Sequence, residues 1–191
     1  MTSGRLLAAV ALAAVCPGAE KIDVVLERRG EAGWEKLDPR TVLSAGDRIH
    51  FRVTSSSPGW LAVYYTGSGG RSEWLMPDAR LIAKDSANLV PAEPASFTID
   101  GPPGIDTLYW ILSAKPVPLE ALVPDAARRP LPNTLIPRCR NESVQMACLD
   151  ERAGPSKLRA RELKITGSDA GTPAADRNIG VIVYEFRIAH R

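Results

Sequence analysis

The sequence predicts an all-β, mainly antiparallel domain, arranged as an immunoglobulin-like β-sandwich with a Pro-rich, disulfide-closed C-terminal extension that returns as a final strand. Apolar and polar residues alternate with period two in several short segments, which is typical of half-buried strands. The 16 prolines and 15 glycines among 191 residues place turns between these segments. A small β-barrel is the alternative arrangement of the same strands.

The strongest strand pattern lies at residues 48–54, which read Arg-Ile-His-Phe-Arg-Val-Thr. Their alternation predicts one face in the core and one polar face. Residues 21–27 alternate in the same way. Residues 60–65 and 107–113 are apolar on both faces, which predicts central strands. A Gly-rich turn then leads from the first of these central strands into a hairpin partner at residues 72–76.

The remaining segments carry weaker patterns. Residues 77–94 are rich in Asp, Asn and Pro and predict an irregular connection. Residues 96–100 predict a short strand, and residues 119–129 predict a short helix that begins after Pro118. The apolar alternation of residues 179–188 predicts a last strand that returns to the sheet.

The N-terminal residues predict export. Residues 6–15 form an unbroken apolar run that is too short to span a bilayer as a helix but fits the hydrophobic region of a signal peptide. We therefore expect residues 1–19 to be removed and residues 20–191 to form one domain in the periplasm or outside the cell. A lipid anchor on Cys16 is the alternative, although Val15 is a poor residue at that position of a lipoprotein signal.

The cysteines agree with an oxidising compartment. Beyond Cys16, the chain holds Cys139 and Cys148, an even number that predicts one structural disulfide. Their spacing fits neither a redox pair nor a zinc site, so we predict no metal and no cofactor.

Several segments of the chain resemble one bacterial protein family. They read Ala-Gly-Asp-Arg-Ile-His-Phe-Arg-Val at residues 45–53, Gly-Trp-Leu-Ala-Val-Tyr-Tyr at 59–65, Trp-Leu-Met-Pro at 74–77 and Gly-Pro-Pro-Gly before an apolar strand at 101–113. In this order they resemble the bacterial domain-of-unknown-function family 4384 over residues 41–113. The resemblance implies an exported or envelope-associated β-domain and implies no catalytic residues.

No motif in the sequence predicts a reaction centre. His50 falls on the polar face of its strand and His190 is the penultimate residue, so we expect both at the surface. The Gly-rich segment 67–72 resembles a phosphate loop in composition, but a strand rather than a helix follows it, which predicts a hairpin turn. Asp100 and Asp106 flank a Pro-Pro turn, where Asp is a common turn residue.

A further polar group, Asp78, Asp85 and Asn88, lacks the spacing of a calcium loop, so we expect these side chains in a solvated connection.

Aromatic side chains are the candidate binding residues. They are Trp60, Tyr64, Tyr65 and Trp74. Any of their rings that face outward would offer a flat surface for a carbohydrate or a peptide.

These observations favour a non-catalytic binding or assembly module of the cell envelope, with a protein or envelope glycan as partner. The net charge of +2 provides no strong field for nucleic acid, and we expect no transmembrane helix after signal removal. A small extracytoplasmic hydrolase, with an unfamiliar site in residues 77–94 or near the cysteines, and a purely structural accessory protein are the alternatives.

Overall fold

The structure is a computed structural model that describes residues 21–124, 127, 136, 148–156 and 180–191. The described chain is mostly strand and forms two sheets in which most neighbours run antiparallel. The prediction of a mainly antiparallel all-β fold is therefore confirmed.

The first sheet contains five strands of the described chain. They are β1 (Ile22–Arg29), β2 (Trp34–Lys36), β4 (Arg48–Ser55), β8 (Asn88–Val90) and β9 (Phe97–Thr98). Their order is β2-β1-β4-β8, and β9 pairs with β4 on the same side as β8. The short strands β8 and β9 thus form one edge of this sheet.

The second sheet contains seven strands of the described chain. They are β3 (Val42–Leu43), β5 (Gly59–Thr66), β6 (Ser72–Trp74), β7 (Arg80–Ile82), β10 (Gly104–Ser113), β11 (Gly154–Pro155) and β12 (Val181–His190). Their order is β11-β12-β10-β5-β6, while β7 also pairs with β5 and β3 runs parallel to the end of β12. The predicted hairpin between residues 60–65 and 72–76 is confirmed as β5–β6.

The two sheets pack face to face around a shared core. Phe51 of β4 is fully buried, and its ring meets Trp110 of β10 and Phe186 of β12 edge-on, with centroids 5.0 and 5.8 Å apart. Ile49 and Val53, the other apolar residues of β4, are buried in the same cluster. The inward face predicted from the alternation of residues 48–54 is confirmed.

A second apolar cluster explains why the central strands are apolar on both faces. All ten residues of β10 are buried. Tyr109 and Ile111 project away from the core shared by the sheets and pack with Leu122 of the 3-10 helix Leu119–Leu122 and with Ala127. The segment that follows β10 therefore covers the outer face of the second sheet, and both faces of β10 are shielded from solvent.

Two predictions about irregular regions were wrong in part. The connection at residues 77–94 contains β7 and β8, which are three residues long and thus too short to display an alternation. In the described part of the helix predicted over residues 119–129, Leu119–Leu122 forms a 3-10 turn whose C-cap is Val123, directly before Pro124.

Some predictions lie outside the described residues. These are the signal segment 1–19, including Cys16, and Cys139. Cys148 is described and packs against a small cluster that includes Val42 and Ala153. The Cys139–Cys148 disulfide stays a prediction.

Candidate functional site

A cavity of about 420 Å³ opens at one end of the two sheets. It lies between the β5–β6 turn, residues 67–71, and the chain that runs from β9 into β10. Its deep wall is apolar and includes Phe51, Leu108 and Ile188 of the core. Its size falls in the range of small-ligand pockets.

The mouth of the cavity is polar. Arg71 and Glu73 line it from the β5–β6 hairpin, and their side chains form a salt bridge of 2.7 Å. Asp100 lines it from the opposite side and is exposed. An apolar interior with a few polar groups at the rim is the usual composition of a ligand pocket.

Asp106 organises the polar part of the cavity wall. It is only 5 % exposed and sits near the start of β10, where a buried carboxylate must be hydrogen-bonded. The Tyr65 hydroxyl donates a hydrogen bond to Oδ2 of Asp106 at 2.9 Å, and the Ser68 backbone N–H donates one to Oδ1 at 2.7 Å. His190 places Nε2 3.2 Å from Oδ1. The carboxylate thereby ties β5, the Gly-rich turn and β12 together.

Burial and negative charge act together on Tyr65. Burial raises the pKa of its phenol well above the ordinary value, and the Asp106 carboxylate raises it further through its charge and its hydrogen bond. Asp100 and Glu73 add to the same effect. The Tyr65 hydroxyl therefore stays protonated and remains a donor to Asp106.

Ser68, His190 and Asp106 include the three residue types of a hydrolase triad, but their geometry differs from one. In a triad the acid binds Nδ1 of the histidine, which leaves Nε2 free to accept the serine proton. Here the Asp106 oxygen and the Ser68 hydroxyl, at 3.4 Å, both lie near Nε2. Since a carboxylate accepts, Nε2 carries the proton and cannot act as the base.

The Ser68 hydroxyl is also committed elsewhere. Its Oγ donates to the Pro102 carbonyl at 2.7 Å. The hydroxyl thus accepts from His190 and donates to backbone, which is the reverse of the direction needed to activate a nucleophile.

A second buried cluster lies on the outer face of the first sheet. His50 is fully buried, and its Nε2 contacts Oε2 of Glu27. Arg52 donates to the same carboxylate from Nε at 3.0 Å and from Nη2 at 3.2 Å. Trp34 of β2 stacks on the His50 ring, with centroids 3.8 Å apart, and Arg29 lies 5.6 Å from the Trp34 ring centroid.

Opposing effects act on Glu27. Burial raises the pKa of its carboxyl, but the hydrogen bonds from Arg52 and His50 and the attraction of their charges outweigh burial, so the pKa lies below the ordinary 4.5. Glu27 is thus the negative centre of an ion-paired cluster that holds β1 and β4 together.

The prediction that both histidines lie at the surface was wrong. His50 is on the predicted face of β4, but Trp34 covers that face. His190 is 1 % exposed, because it pairs with Gly104 in the sheet and contacts Asp106. Asp106 was expected in a turn and instead lies inside β10, where every residue is buried.

The aromatic candidates separate into different environments. Tyr65 lines the cavity. Tyr64 and Trp74 lie on the opposite face of the second sheet, edge-to-face at 4.9 Å, and both pack against the cluster that contains Tyr109. Trp60 is half-buried on β5 between Ser113 and Leu81 of the neighbouring strands. The structure therefore does not bring the four rings into one surface.

One sequence signal could have located Asp106 and its partners. Asp106 is the one residue with a formal charge in the otherwise uncharged run at residues 104–113. A charged group inside a doubly buried strand requires partners, and this expectation would have pointed to polar side chains on the neighbouring strands.

The described residues hold no group of three or more His, Cys, Asp or Glu side chains arranged to bind a metal ion. Among the same residues, no helix has the length and apolar composition to cross a bilayer.

Comparison with models of protein families gives a match over part of the chain. Residues 42–116 match the model of a family described as a domain of unknown function, DUF4384. This agrees with the resemblance over residues 41–113. A search of curated proteins and a search of solved structures each found no match.

Proposed function

We propose that this chain, in which residues 42–116 match a family of unknown function, is a non-catalytic binding module of the bacterial cell envelope. The observation that carries the proposal is the cavity of about 420 Å³ beside Asp106, which combines an apolar interior with a polar rim. Its ligand would be a small molecule or a side chain of a partner protein.

The polar groups in the cavity wall support binding over catalysis. Asp106 accepts from Tyr65 and Ser68, and the hydroxyl of Ser68 donates to Pro102. Groups that are hydrogen-bonded to one another hold a wall in place. We therefore infer that the cluster shapes the cavity.

The architecture and location belong to the same proposal. We infer an immunoglobulin-like arrangement of the two sheets, export to the periplasm or beyond, and a disulfide between Cys139 and Cys148. Intact mass of the mature protein from its native host tests the last two points. A mass that shows loss of residues 1–19 and of two hydrogens supports both points. A mass that includes a lipid on Cys16 would instead show that the protein is anchored to a membrane.

Fragment screening by NMR tests the binding function. Ligands of the cavity should shift the backbone amides of residues 67–70 and 99–101 and should leave β1 and β2 unchanged. The variant Thr98→Trp places a large ring at an exposed position of the lining and should abolish these shifts. Leu81→Trp is the matched control, since Leu81 is exposed outside the cavity.

A screen with no ligand for the wild-type cavity would contradict the proposal. A purely structural accessory protein would then be the better interpretation.

A hydrolase is the second candidate, because the structure places Ser68 beside His190 and Asp106. The arrangement would need His190 to turn, so that Asp106 binds Nδ1 and Ser68 releases Pro102. A fluorophosphonate probe tests it. Labelling of wild type that is lost in Ser68→Ala supports a hydrolase, whereas absence of labelling in a folded wild type supports the binding module.

A further inference from the structure

The charges around the cavity beside Asp106 are unbalanced. Its lining carries three carboxylates, those of Glu73, Asp100 and Asp106, against one guanidinium, that of Arg71. Arg71 is already paired with Glu73. No described residue forms an ion pair with Asp100, so its carboxylate has no counter-charge within the described part of the chain.

The three carboxylates act on one point inside the cavity. Tyr65 lines the wall, and its pKa is raised by burial first and then by the charges of Asp106, Asp100 and Glu73. Burial raises the pKa of a phenol without any nearby charge, and the three carboxylates raise it further because their negative potential opposes formation of the phenolate. The same potential attracts a cation.

The cavity also has an apolar wall that a ligand could contact. Phe97 of β9 and Leu75 beyond β6 line the space together with the buried Phe51. These strands are the edges of the two sheets, so the opening lies between the sheets. An apolar group that enters there would be removed from water against the core.

We infer that the cavity binds a ligand that joins an apolar body to one cationic group, such as a primary ammonium. The apolar body lies between the sheets and the cation lies near Asp100. This inference rests on the proposed binding function and specifies its ligand class. An anionic ligand of the same shape would be repelled, and a neutral one would lose the electrostatic contribution.

Three hexyl compounds test the charge requirement at matched chain length. Hexylamine, hexanol and hexanoate are titrated into the isotopically labelled full chain at neutral pH, with the amides of residues 67–70 and 99–101 as the readout. Hexylamine should bind roughly fivefold or more tightly than hexanol at low salt, and added salt should reduce the ratio. Hexanoate should bind most weakly.

Asp100→Asn should reduce the preference for hexylamine over hexanol by about threefold, since the substitution removes one exposed charge at nearly constant shape. Asp23→Asn is the matched control, because Asp23 is exposed on β1 and does not line the cavity. A terminally blocked Leu-Lys-Leu peptide, compared with Leu-Gln-Leu, distinguishes a partner's lysine from a small amine as the source of the cation.

The outcomes separate the two proposals. Equal binding of the amine and the alcohol, or tighter binding of hexanoate, overturns the cationic ligand and leaves the binding function in place. Failure of all three compounds, together with an empty fragment screen, overturns both.

Discussion

At the scale of residues, the molecule relies on two buried carboxylates that sit in different environments. Glu27 is held by two basic side chains, His50 and Arg52, and lies between two strands of the first sheet. Asp106 is held by a phenol, a backbone N–H and an imidazole at the end of the second sheet. Each carboxylate joins chain segments that are distant in sequence.

Replacement of Glu27 by Gln should weaken the fold in a pH-dependent way. Because the pKa of Glu27 is lowered in the folded state, its ion pairs stabilise the protein above the ordinary pKa, and this stabilisation is lost as pH falls through the lowered folded value. At pH 7, Glu27→Gln should cost about 1–3 kcal/mol, since the Gln amide removes the carboxylate that is hydrogen-bonded to Arg52 and His50.

Urea unfolding at several pH values between about 7 and 3 measures this effect. Wild type should lose stability on acidification more steeply than the variant, and the two curves should approach one another at the acid end. Glu31→Gln, on an exposed turn residue, should follow wild type. Parallel curves for wild type and Glu27→Gln would show that the Glu27 cluster contributes nothing to the acid response.

At the scale of elements, strand alternation predicts which residues share a face but does not say what covers that face. For β4 the alternation predicted the residues that face the core. Burial of His50, in contrast, depends on Trp34, which lies in the three-residue strand β2. For β12 the alternation predicted a last strand that returns to the sheet, and Phe186 and Ile188 of this strand are buried in the core. The contact of His190 with Asp106 and Ser68 depends on the pairing of β10 with β12, which local patterns do not contain.

The start of β10 leaves no room for a side chain beside the Gly-rich turn. A Cβ at Gly104 would lie 2.5 Å from Cβ of Ser68. Gly104→Ala should therefore displace the turn that lines the cavity and destabilise the protein by about 1–3 kcal/mol. At Gly180, just before β12, an added Cβ meets nothing within 4 Å.

Thermal and urea unfolding of Gly104→Ala and Gly180→Ala check the prediction. Gly180→Ala should stay within about 0.5 kcal/mol of wild type. Amide shifts at residues 67–70 in Gly104→Ala report the displaced turn. If Gly104→Ala were as stable as Gly180→Ala, the turn would accommodate the added methyl group without loss of unfolding free energy, which contradicts the prediction.

At the scale of the whole molecule, stability rests on the contact between the two sheets. Phe51 lies at its centre, with Trp110 and Phe186 edge-on and Phe97 tilted at 6.4 Å. Phe51→Ala should cost about 3–5 kcal/mol, because the lost ring leaves a void that its neighbours cannot fill. Leu81→Ala removes an apolar side chain that is 61 % exposed and should cost less than about 0.5 kcal/mol.

Denaturant unfolding of both variants, followed by tryptophan fluorescence, measures the difference. A shared core predicts one cooperative transition for Phe51→Ala at a lower midpoint. Two separate transitions in wild type would instead indicate that the sheets unfold independently.

The pairing of β10 with β12 has a consequence for how the chain reaches this state. Gly104 pairs with His190 and Ser113 pairs with Val181. The two longest strands can therefore pair only after the long loop between them has closed. Such non-local pairing makes folding slow compared with formation of a local hairpin such as β5–β6. Until the partner strand arrives, β10 exposes an unpaired apolar edge, and the newly made protein is most vulnerable to aggregation during that interval.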